Sequence, residues 1–494
     1  MSLVEHLPVL AVLLPLLTAP LCVLFNHPRV AWLFALAAAW SSFVAAIVLL
    51  FNVGHDGAMS YPLGGWAPPW GIELRVDLMA AFVLLIVTAI AAAVFTFARA
   101  SVQREIDDQH IARFYAAMLL VLAGQAGIIV TGDAFNVFVF LEISSLASYA
   151  VISMGRDRRA LNAAFQYLVM GTIGATFILI GIGFLYMMTG TLNMLDLAAR
   201  LPEVADTRTV RAGFAFLTVG IGLKLALFPL HLWMPNAYAY APSVISAFLS
   251  ATATKVAVYL LLRFLLEIFG IEFSLRTMPL DLILITLGLL GILSASLVAI
   301  YQRNVKRMLA YSSVAQVGYM VLGIGLASHT GITAALLHLF NHALMKGALF
   351  LALGAVMYRI GSVLIDDLAG LGKRMPWTMA ALVIGGISLI GVPPTIGFVS
   401  KWYLVLATLE QGLWPLAILI LIGSVLALVY VWKLIETIYL GTAPANANTR
   451  TEAPLSMLLP TWALVLANLY FGIDTEISVG VAAQSADLLI GGSR

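Results

Sequence analysis

The sequence contains little charge and almost no cysteine. Of its 494 residues, 10% are Asp, Glu, Lys or Arg and 62% are hydrophobic. Because a water-soluble domain of this composition could not cover its apolar surface with polar side chains, we predict a polytopic membrane protein. The single cysteine, Cys22, excludes an intrachain disulfide. One thiolate also provides too few ligands for an iron–sulfur cluster or a thiolate zinc site.

The motifs of several other protein classes are missing. The net charge of +2 is small and the sequence has no basic tract, so we expect no nucleic-acid partner. There is no glycine-rich phosphate loop, and we predict no bound cofactor. The first apolar run, residues 7–25, lacks a basic segment before it and a convincing small-residue cleavage site after it. We therefore interpret this run as a membrane helix, not as a cleavable signal.

Long apolar runs dominate what remains. A spanning helix needs about 20 apolar residues, and lipid cannot satisfy an open backbone, so the runs predict an all-α polytopic bundle. We expect about fourteen transmembrane helices, at residues 7–25, 31–51, 78–98, 114–131, 134–153, 163–189, 212–235, 243–265, 279–301, 309–327, 331–357, 377–405, 413–440 and 456–473. Alternate loops are rich in Lys and Arg, which predicts that those loops are cytoplasmic and that both chain ends lie outside.

Two of the predicted helices contain proline near the middle. Pro229 lies in helix 7, and Pro393 and Pro394 lie in helix 12. Proline removes a backbone donor and clashes with the preceding turn, so we predict that both helices are broken there. Interrupted helices at matching positions are typical of transporters built from inverted repeats. We therefore divide this single membrane domain into residues 1–111 (helices 1–3), 112–270 (a first repeat, helices 4–8), 279–440 (a second repeat, helices 9–13) and 456–473 (helix 14).

Several ionisable residues fall inside these apolar runs, namely Glu142, Lys224, Lys255, Lys346 and Lys401. A charged side chain at the bilayer centre costs roughly 3 kcal/mol on insertion scales, so such residues should face a protein interior or a water-filled cavity. We predict that Lys224 is the partner of Glu142, because a buried carboxylate needs a cation. The alternatives for Glu142 are a structural ion pair and a protonated, hydrogen-bonded carboxyl, and the alternative for Lys224 and Lys255 is snorkelling to an interface. Lys401 is either an outer proton gate or an anchor.

Helix 11 carries His338, His342 and Lys346 at a spacing of four residues, which places them on one face. Imidazole changes protonation near neutral pH and both donates and accepts hydrogen bonds, so the trio suits a proton relay. Two histidines four apart can also bind zinc, but the Glu of the H-E-x-x-H pattern is missing, and we predict no metal. For His231, beside Pro229, we expect a structural role in capping carbonyls freed by the break. Asp77 and Arg75 could form a local pair.

Residues 133–145, 224–243, 304–319, 338–353 and 391–401 together resemble a known family. The chain is similar to the antiporter-like membrane subunits shared by respiratory complex I and the Mrp-type cation/proton antiporters. The likeness covers nearly the whole chain and rests on a helix-5 Glu, a helix-7 Lys before Phe-Pro-Leu-His and a helix-12 Lys after Pro-Pro-x-x-Gly-Phe. In length the chain is most similar to the D-type subunits of the Mrp antiporters.

The resemblance implies a function. It implies a hydrated axis in which Glu142 and Lys224 form an ion pair, Lys255 is central, His338, His342 and Lys346 connect the halves, and Lys401 is terminal. It also implies a subunit of a hetero-oligomer that exchanges protons for Na+ or another monovalent cation across a bacterial cytoplasmic (inner) membrane. Two alternatives use the same residues: a proton-pumping subunit of a complex I-like or hydrogenase redox complex, and a proton-driven partner of a carbon-uptake protein.

Overall fold

The fold is a bundle of apolar helices. The computed structural model describes residues 3–442 and 452–491. The first part of the chain forms helices α1 and α2, a two-stranded antiparallel hairpin of β1 and β2, and then helices α3 to α6. Their bounds are α1 Leu7–Phe25, α2 Pro28–Asp56, β1 Met59–Pro62, β2 Glu73–Val76, α3 Leu78–Glu105, α4 Ile111–Val130, α5 Ala134–Ser153 and α6 Arg159–Thr189.

The remainder of the described chain is helical as well. The bounds are α7 Met194–Val204, α8 Arg208–Leu225, α9 Met234–Tyr240, α10 Ser243–Leu262, α11 Leu280–Ile300, α12 Val305–Gly325, α13 His329–Ile360, α14 Leu371–Arg374, α15 Pro376–Ile390, α16 Ile396–Glu410, α17 Trp414–Leu440, α18 Leu455–Ile473 and α19 Glu476–Gly491. Within the described residues, 12 helices are long and apolar enough to cross a membrane. The all-α membrane fold is therefore confirmed, whereas the count of fourteen and the two repeats stay predictions.

Both predicted helix breaks are confirmed. Helix α8 ends at Leu225, where Ala226 takes a left-handed conformation with φ 58, and α9 begins only at Met234. Helix α15 ends at Ile390, followed by Gly391 with φ 90, and α16 begins at Ile396. The predicted helices 7 and 12 are therefore each two shorter helices, and each break exposes backbone groups that need partners.

The helices separate into an inner and an outer group. In α10 and α12, 94% of an 18-residue apolar stretch of the helix is buried inside the protein, whereas in α1 and α17 the buried share of such a stretch is 33%. Helices α3, α4 and α13 also belong to the inner group. The inner helices carry Lys255, His338, His342 and Lys346, so the fold places most of the predicted site in its centre.

Candidate functional site

Glu142 and Lys224 lie together, as the predicted pairing requires. The Nζ atom of Lys224 is 3.9 Å from Oε1 of Glu142 and donates a 2.8 Å hydrogen bond to Oγ of Ser145. The Lys224 side chain is 7% exposed and that of Glu142 is 26% exposed. Lys224 stands in the last turn of α8, where the helix dipole favours a cation. Oε1 of Glu142 accepts no hydrogen bond. The two side chains therefore form a loose ion pair without a direct hydrogen bond, and each side chain is free to bond another group.

A small cavity with both polar and apolar lining residues adjoins Lys224. Its volume is about 40 Å³, which is enough for a small number of water molecules. Gln125, Ser144 and Ser148 line one side, and α10 lines the other through Val256. Both side-chain polar atoms of Gln125 are buried without a hydrogen-bond partner, so they are suited to bind water there. The cavity therefore connects Lys224 with the helix that carries Lys255.

Lys255 is completely buried in the centre of the bundle. Its ammonium donates to the backbone carbonyl of Ser250 at 2.5 Å and to Oγ1 of Thr254 at 3.3 Å. No ion pair with a carboxylate is formed by Lys255 in the described part of the chain. The position in the interior excludes snorkelling for this lysine. Its neutral acceptors can hold either the ammonium or the amine.

His338, His342 and Lys346 of α13 lie on one buried face. His338 contacts Ser400 through Nδ1 and Gln316 through Nε2, both at 2.8 Å. The rings of His338 and His342 are nearly parallel, with centroids 6.1 Å apart, and both nitrogens of His342 lack a hydrogen-bond partner. Lys346 donates to the carbonyl of Leu309 at 2.7 Å and to Ser312. Among the residues described, no group of three His, Cys, Asp or Glu side chains is arranged to hold a metal ion.

Lys401 stands beside the second helix break. Its Nζ donates to the carbonyls of Leu389 at 2.9 Å and Ile390 at 3.0 Å, and to Oγ of Ser424 at 3.0 Å. The two carbonyls belong to the end of α15, whose dipole favours a cation at this position. Each broken helix thus ends against a buried lysine, Lys224 at the first break and Lys401 at the second.

Side chains that sequence reasoning missed connect these groups. Ser400 bonds His338 and is the neighbour of Lys401 in α16. The ring of Tyr319 lies 5.5 Å from the ring of His338 and 4.8 Å from the Lys401 ammonium. Gln316 holds the opposite side of His338. An amide in the middle of an apolar helix is itself a signal, and Gln316 could have been found by it; Ser400 and Tyr319 carry no such signal.

Two sequence expectations about local partners are wrong. His231 stacks on Phe228 with ring centroids 5.4 Å apart, and its Nδ1 has no hydrogen-bond partner. The carbonyl of Leu223 is instead capped by Nε1 of Trp233 at 3.0 Å, because the backbone after the break brings the indole over the end of α8.

The second error concerns Asp77, which pairs with Arg263 at 2.5 Å and not with Arg75. Asp77 also accepts a 2.9 Å hydrogen bond from the backbone N–H of Ala80 at the start of α3. Burial raises the pKa of the Asp77 carboxyl, but the Arg263 guanidinium, the Ala80 N–H and the Arg75 charge together lower it by more, so the pKa lies below its ordinary value.

The fold and these buried groups define a multi-pass membrane protein with an ionisable interior. The chain belongs to the NADH:quinone oxidoreductase/Mrp antiporter transmembrane family, whose profile matches residues 131–427. It is 41% identical to the N-type subunit of the NADH-quinone oxidoreductase of Desulforudis audaxviator, over 97% of this chain and 98% of that one. It is 30% identical to the D-type subunit of the Na(+)/H(+) antiporter of Bacillus subtilis, over 98% and 97% of the two chains.

A solved structure has the same fold over almost the full length. A chain of the Mrp complex from Dietzia sp. superposes with a TM-score of 0.90 at 26% identity, and 99% of this chain and 98% of that chain are covered. The family resemblance inferred from the sequence motifs is therefore confirmed.

Proposed function

We propose that this chain is the proton-translocating membrane subunit of a multisubunit monovalent cation/proton antiporter, with Na+ as the cation. Protons move along a hydrated series of buried groups, in the order Glu142, Lys224, Lys255, the α13 group of His342, Lys346 and His338, and Lys401. The observation that carries this proposal is the loose Glu142–Lys224 pair, 3.9 Å apart, in a bundle whose innermost helices hold the other ionisable residues.

The electrostatics of the lysines support proton transfer. Lys255, Lys346 and Lys401 bond to carbonyls and hydroxyls, which are neutral acceptors, so each lysine can lose its proton without stranding a carboxylate. At one end of the series, the attraction between Glu142 and Lys224 determines how readily Lys224 releases its proton. The membrane potential supplies about 2.3 kcal/mol per charge per 100 mV, which is enough to switch a pair whose two arrangements differ by a few kcal/mol.

The same proposal covers organisation and setting. Two five-helix repeats, residues 112–270 and 279–440, each supply one broken helix with a lysine at the break. The chain acts as a secondary transporter subunit, not as an enzyme, within a hetero-oligomeric complex of the bacterial cytoplasmic membrane. Its contacts are other membrane subunits, lipid, protons and Na+. The relatives are named as subunits of an NADH-quinone oxidoreductase and of a Na(+)/H(+) antiporter, and these names support the assignment.

Cation-dependent proton movement in everted membrane vesicles tests the proposal. We expect Glu142→Ala and Lys224→Ala each to abolish antiport while the complex still assembles, because each variant leaves the other buried charge without its partner. Lys373→Ala, which removes an exposed lysine in α14, is the matched control and should keep antiport. Near-normal antiport in either site variant would refute the assigned role.

A second candidate is a proton-pumping subunit of a redox complex. It is favoured by the 41% identity to the NADH-quinone oxidoreductase relative, which exceeds the 30% identity to the Na(+)/H(+) antiporter relative. The buried residues serve both functions, so the partners decide between them. Copurification in mild detergent with flavin and iron–sulfur proteins would establish the redox complex, whereas small membrane subunits alone would establish the antiporter.

A further inference from the structure

A wide cavity opens at one end of the bundle, outside the series of buried groups described above. Its volume is about 680 Å³, and Arg104, Arg156 and Arg159 stand among its lining residues. These arginines lie in or beside the Lys- and Arg-rich connections that the charge distribution assigns to the cytoplasm: Arg104 lies in the last turn of α3, Arg159 begins α6 and Arg156 lies in the loop before α6. Glu105 and Lys306 also line the cavity, and they lead into the protein interior.

Lys306 is buried although it falls between two predicted helices, residues 279–301 and 309–327. It is 3% exposed, and its Nζ donates to Oγ of Ser243 at 3.0 Å and to the carbonyl of Ala241 at 3.2 Å. In the described chain no carboxylate lies within 4.0 Å of its ammonium. A lysine at a cavity wall ordinarily extends its charge into water. Lys306 instead points inward, onto the linker between α9 and α10.

Glu105 holds Ser243, the first residue of α10, directly after this linker. Its Oε2 accepts hydrogen bonds from the backbone N–H of Ser243 at 2.9 Å and from the Ser243 hydroxyl at 3.1 Å. Its Oε1 accepts from Ser101 at 2.7 Å. Ser243 is thus fixed between the end of α3 and the start of α12. We name Glu105, Ser243 and Lys306 the latch.

A line of buried hydroxyls begins at the latch and ends at Lys255. Ser243, Ser246, Ser250 and Thr254 follow one another along α10 at steps of three or four residues, which places them on one face. All four are buried. Ser246 donates to the carbonyl of Ala241, the same acceptor that Lys306 uses, and Lys255 donates to the hydroxyl of Thr254 and to the backbone carbonyl of Ser250.

We propose that the latch is the gate between the wide cavity and this line of hydroxyls, and that Glu105 and Lys306 are positioning residues for proton delivery to Lys255. The inference rests on the proposed proton-translocating function. In the closed arrangement Lys306 holds Ser243 and Ala241 against Glu105. When the Lys306 side chain moves into the adjacent cavity, the α9–α10 linker is released and water reaches Ser246.

Thiol labelling tests the gate without measuring transport. The only native cysteine is buried Cys22, so Cys22→Ala gives a cysteine-free background. Ser246→Cys reports the first hydroxyl behind the latch. Ala247→Cys is the matched control. Ala247 is as buried as Ser246, but as the next residue of the helix it faces a different side of α10. A small membrane-impermeant thiol reagent is applied to the intact complex in everted and in right-side-out vesicles.

We expect Lys306→Met to accelerate labelling at position 246 about tenfold, since a hydrogen bond from a charged group shifts an opening equilibrium by at least that factor. The increase should occur in everted vesicles only, be absent at position 247, and be reversed in Lys306→Arg. Glu105→Gln should have the same effect if Lys306→Met fails to assemble. Unchanged labelling at 246, or an equal rise at 247, would overturn the gate. Failure of antiport with the labelling pattern intact would instead count against the proposed function alone.

Discussion

At the scale of single residues, the buried lysines share one kind of environment. Lys255, Lys346 and Lys401 each donate to at least one backbone carbonyl, and Lys224 donates to a serine hydroxyl. Only Lys224 has a carboxylate within 4.0 Å among these four described lysines. The sites of Lys255, Lys346 and Lys401 tolerate a neutral amine, because removal of the proton leaves no unpaired buried charge. The sequence predicted that these four lysines are interior, since charge in an apolar run is visible, but it could not predict their acceptors.

Asp77 offers a contrasting residue that stabilises the fold. Its ion pair with Arg263 is buried. Replacing Asp77 with Asn would keep the N-terminal cap of α3 but remove the negative charge. We expect Asp77→Asn to lower the free energy of unfolding by about 2 kcal/mol, because a buried charge-assisted hydrogen bond is lost while Arg263 keeps its other partner, Glu267. Thermal unfolding of the purified complex at neutral pH measures this loss.

The stabilisation by Asp77 should depend on pH in a definite direction. Since the folded-state pKa of Asp77 is lowered, the stabilisation is present above its ordinary value of about 3.9 and disappears as the pH falls through the folded-state value. Wild type and Asp77→Asn should therefore converge in strongly acidic buffer. Asp196→Asn, which removes a solvent-accessible pair with Arg200, should cost no more than about 0.5 kcal/mol. Equal losses in the two variants would contradict this assignment.

At the scale of secondary structure, the helix breaks are the informative elements. Pro229 and the Pro393–Pro394 pair marked both breaks in the sequence, because proline cannot donate within a helix. Four other elements were not predicted: the β1–β2 hairpin, α7, the single-turn α14 and α19. The hairpin segment is rich in turn residues, α7 is short and amphipathic, and α19 is short and carries several polar residues, so none resembles a membrane span. Apolar length alone does not detect such elements.

Gly391 links the second break to its lysine. Its φ of 90 favours glycine, and a Cβ atom there would lie 3.0 Å from Cδ of Lys401. We expect Gly391→Ala to reduce stability by about 1–3 kcal/mol through backbone strain and to impair antiport by displacing Lys401. Gly361→Ala is the matched control, because its φ is 77 and no atom lies within 4 Å of the added Cβ.

Unfolding and vesicle antiport should be measured on both glycine variants. The control should lose similar stability but retain antiport. If both variants transport normally, Gly391 does not position Lys401; if both fail equally, the effect is one of strain alone.

At the scale of the whole molecule, the buried groups occupy both halves of the chain. Glu142 and Lys224 belong to the first half, while His338 and Lys401 belong to the second. Lys255 stands on α10, which packs against α13, and Ala251 of α10 is close to Gly347 of α13. The membrane class, the broken helices and the identity of the ionisable residues could be predicted from sequence. The joining of the halves through α10 and α13, and the link from His338 through Ser400, required the packed structure.

The measurement that bears most directly on the proposed series is antiport in Lys255→Met, with assembly of the complex verified in the same membranes. Methionine fills a similar volume but cannot exchange a proton. Because a positioned proton-transfer group typically contributes a factor of 10² or more to a rate, we expect cation-dependent proton movement to fall about a hundredfold, with Lys373→Met unaffected. Antiport at the wild-type rate in assembled Lys255→Met would contradict a single path through both halves of the molecule.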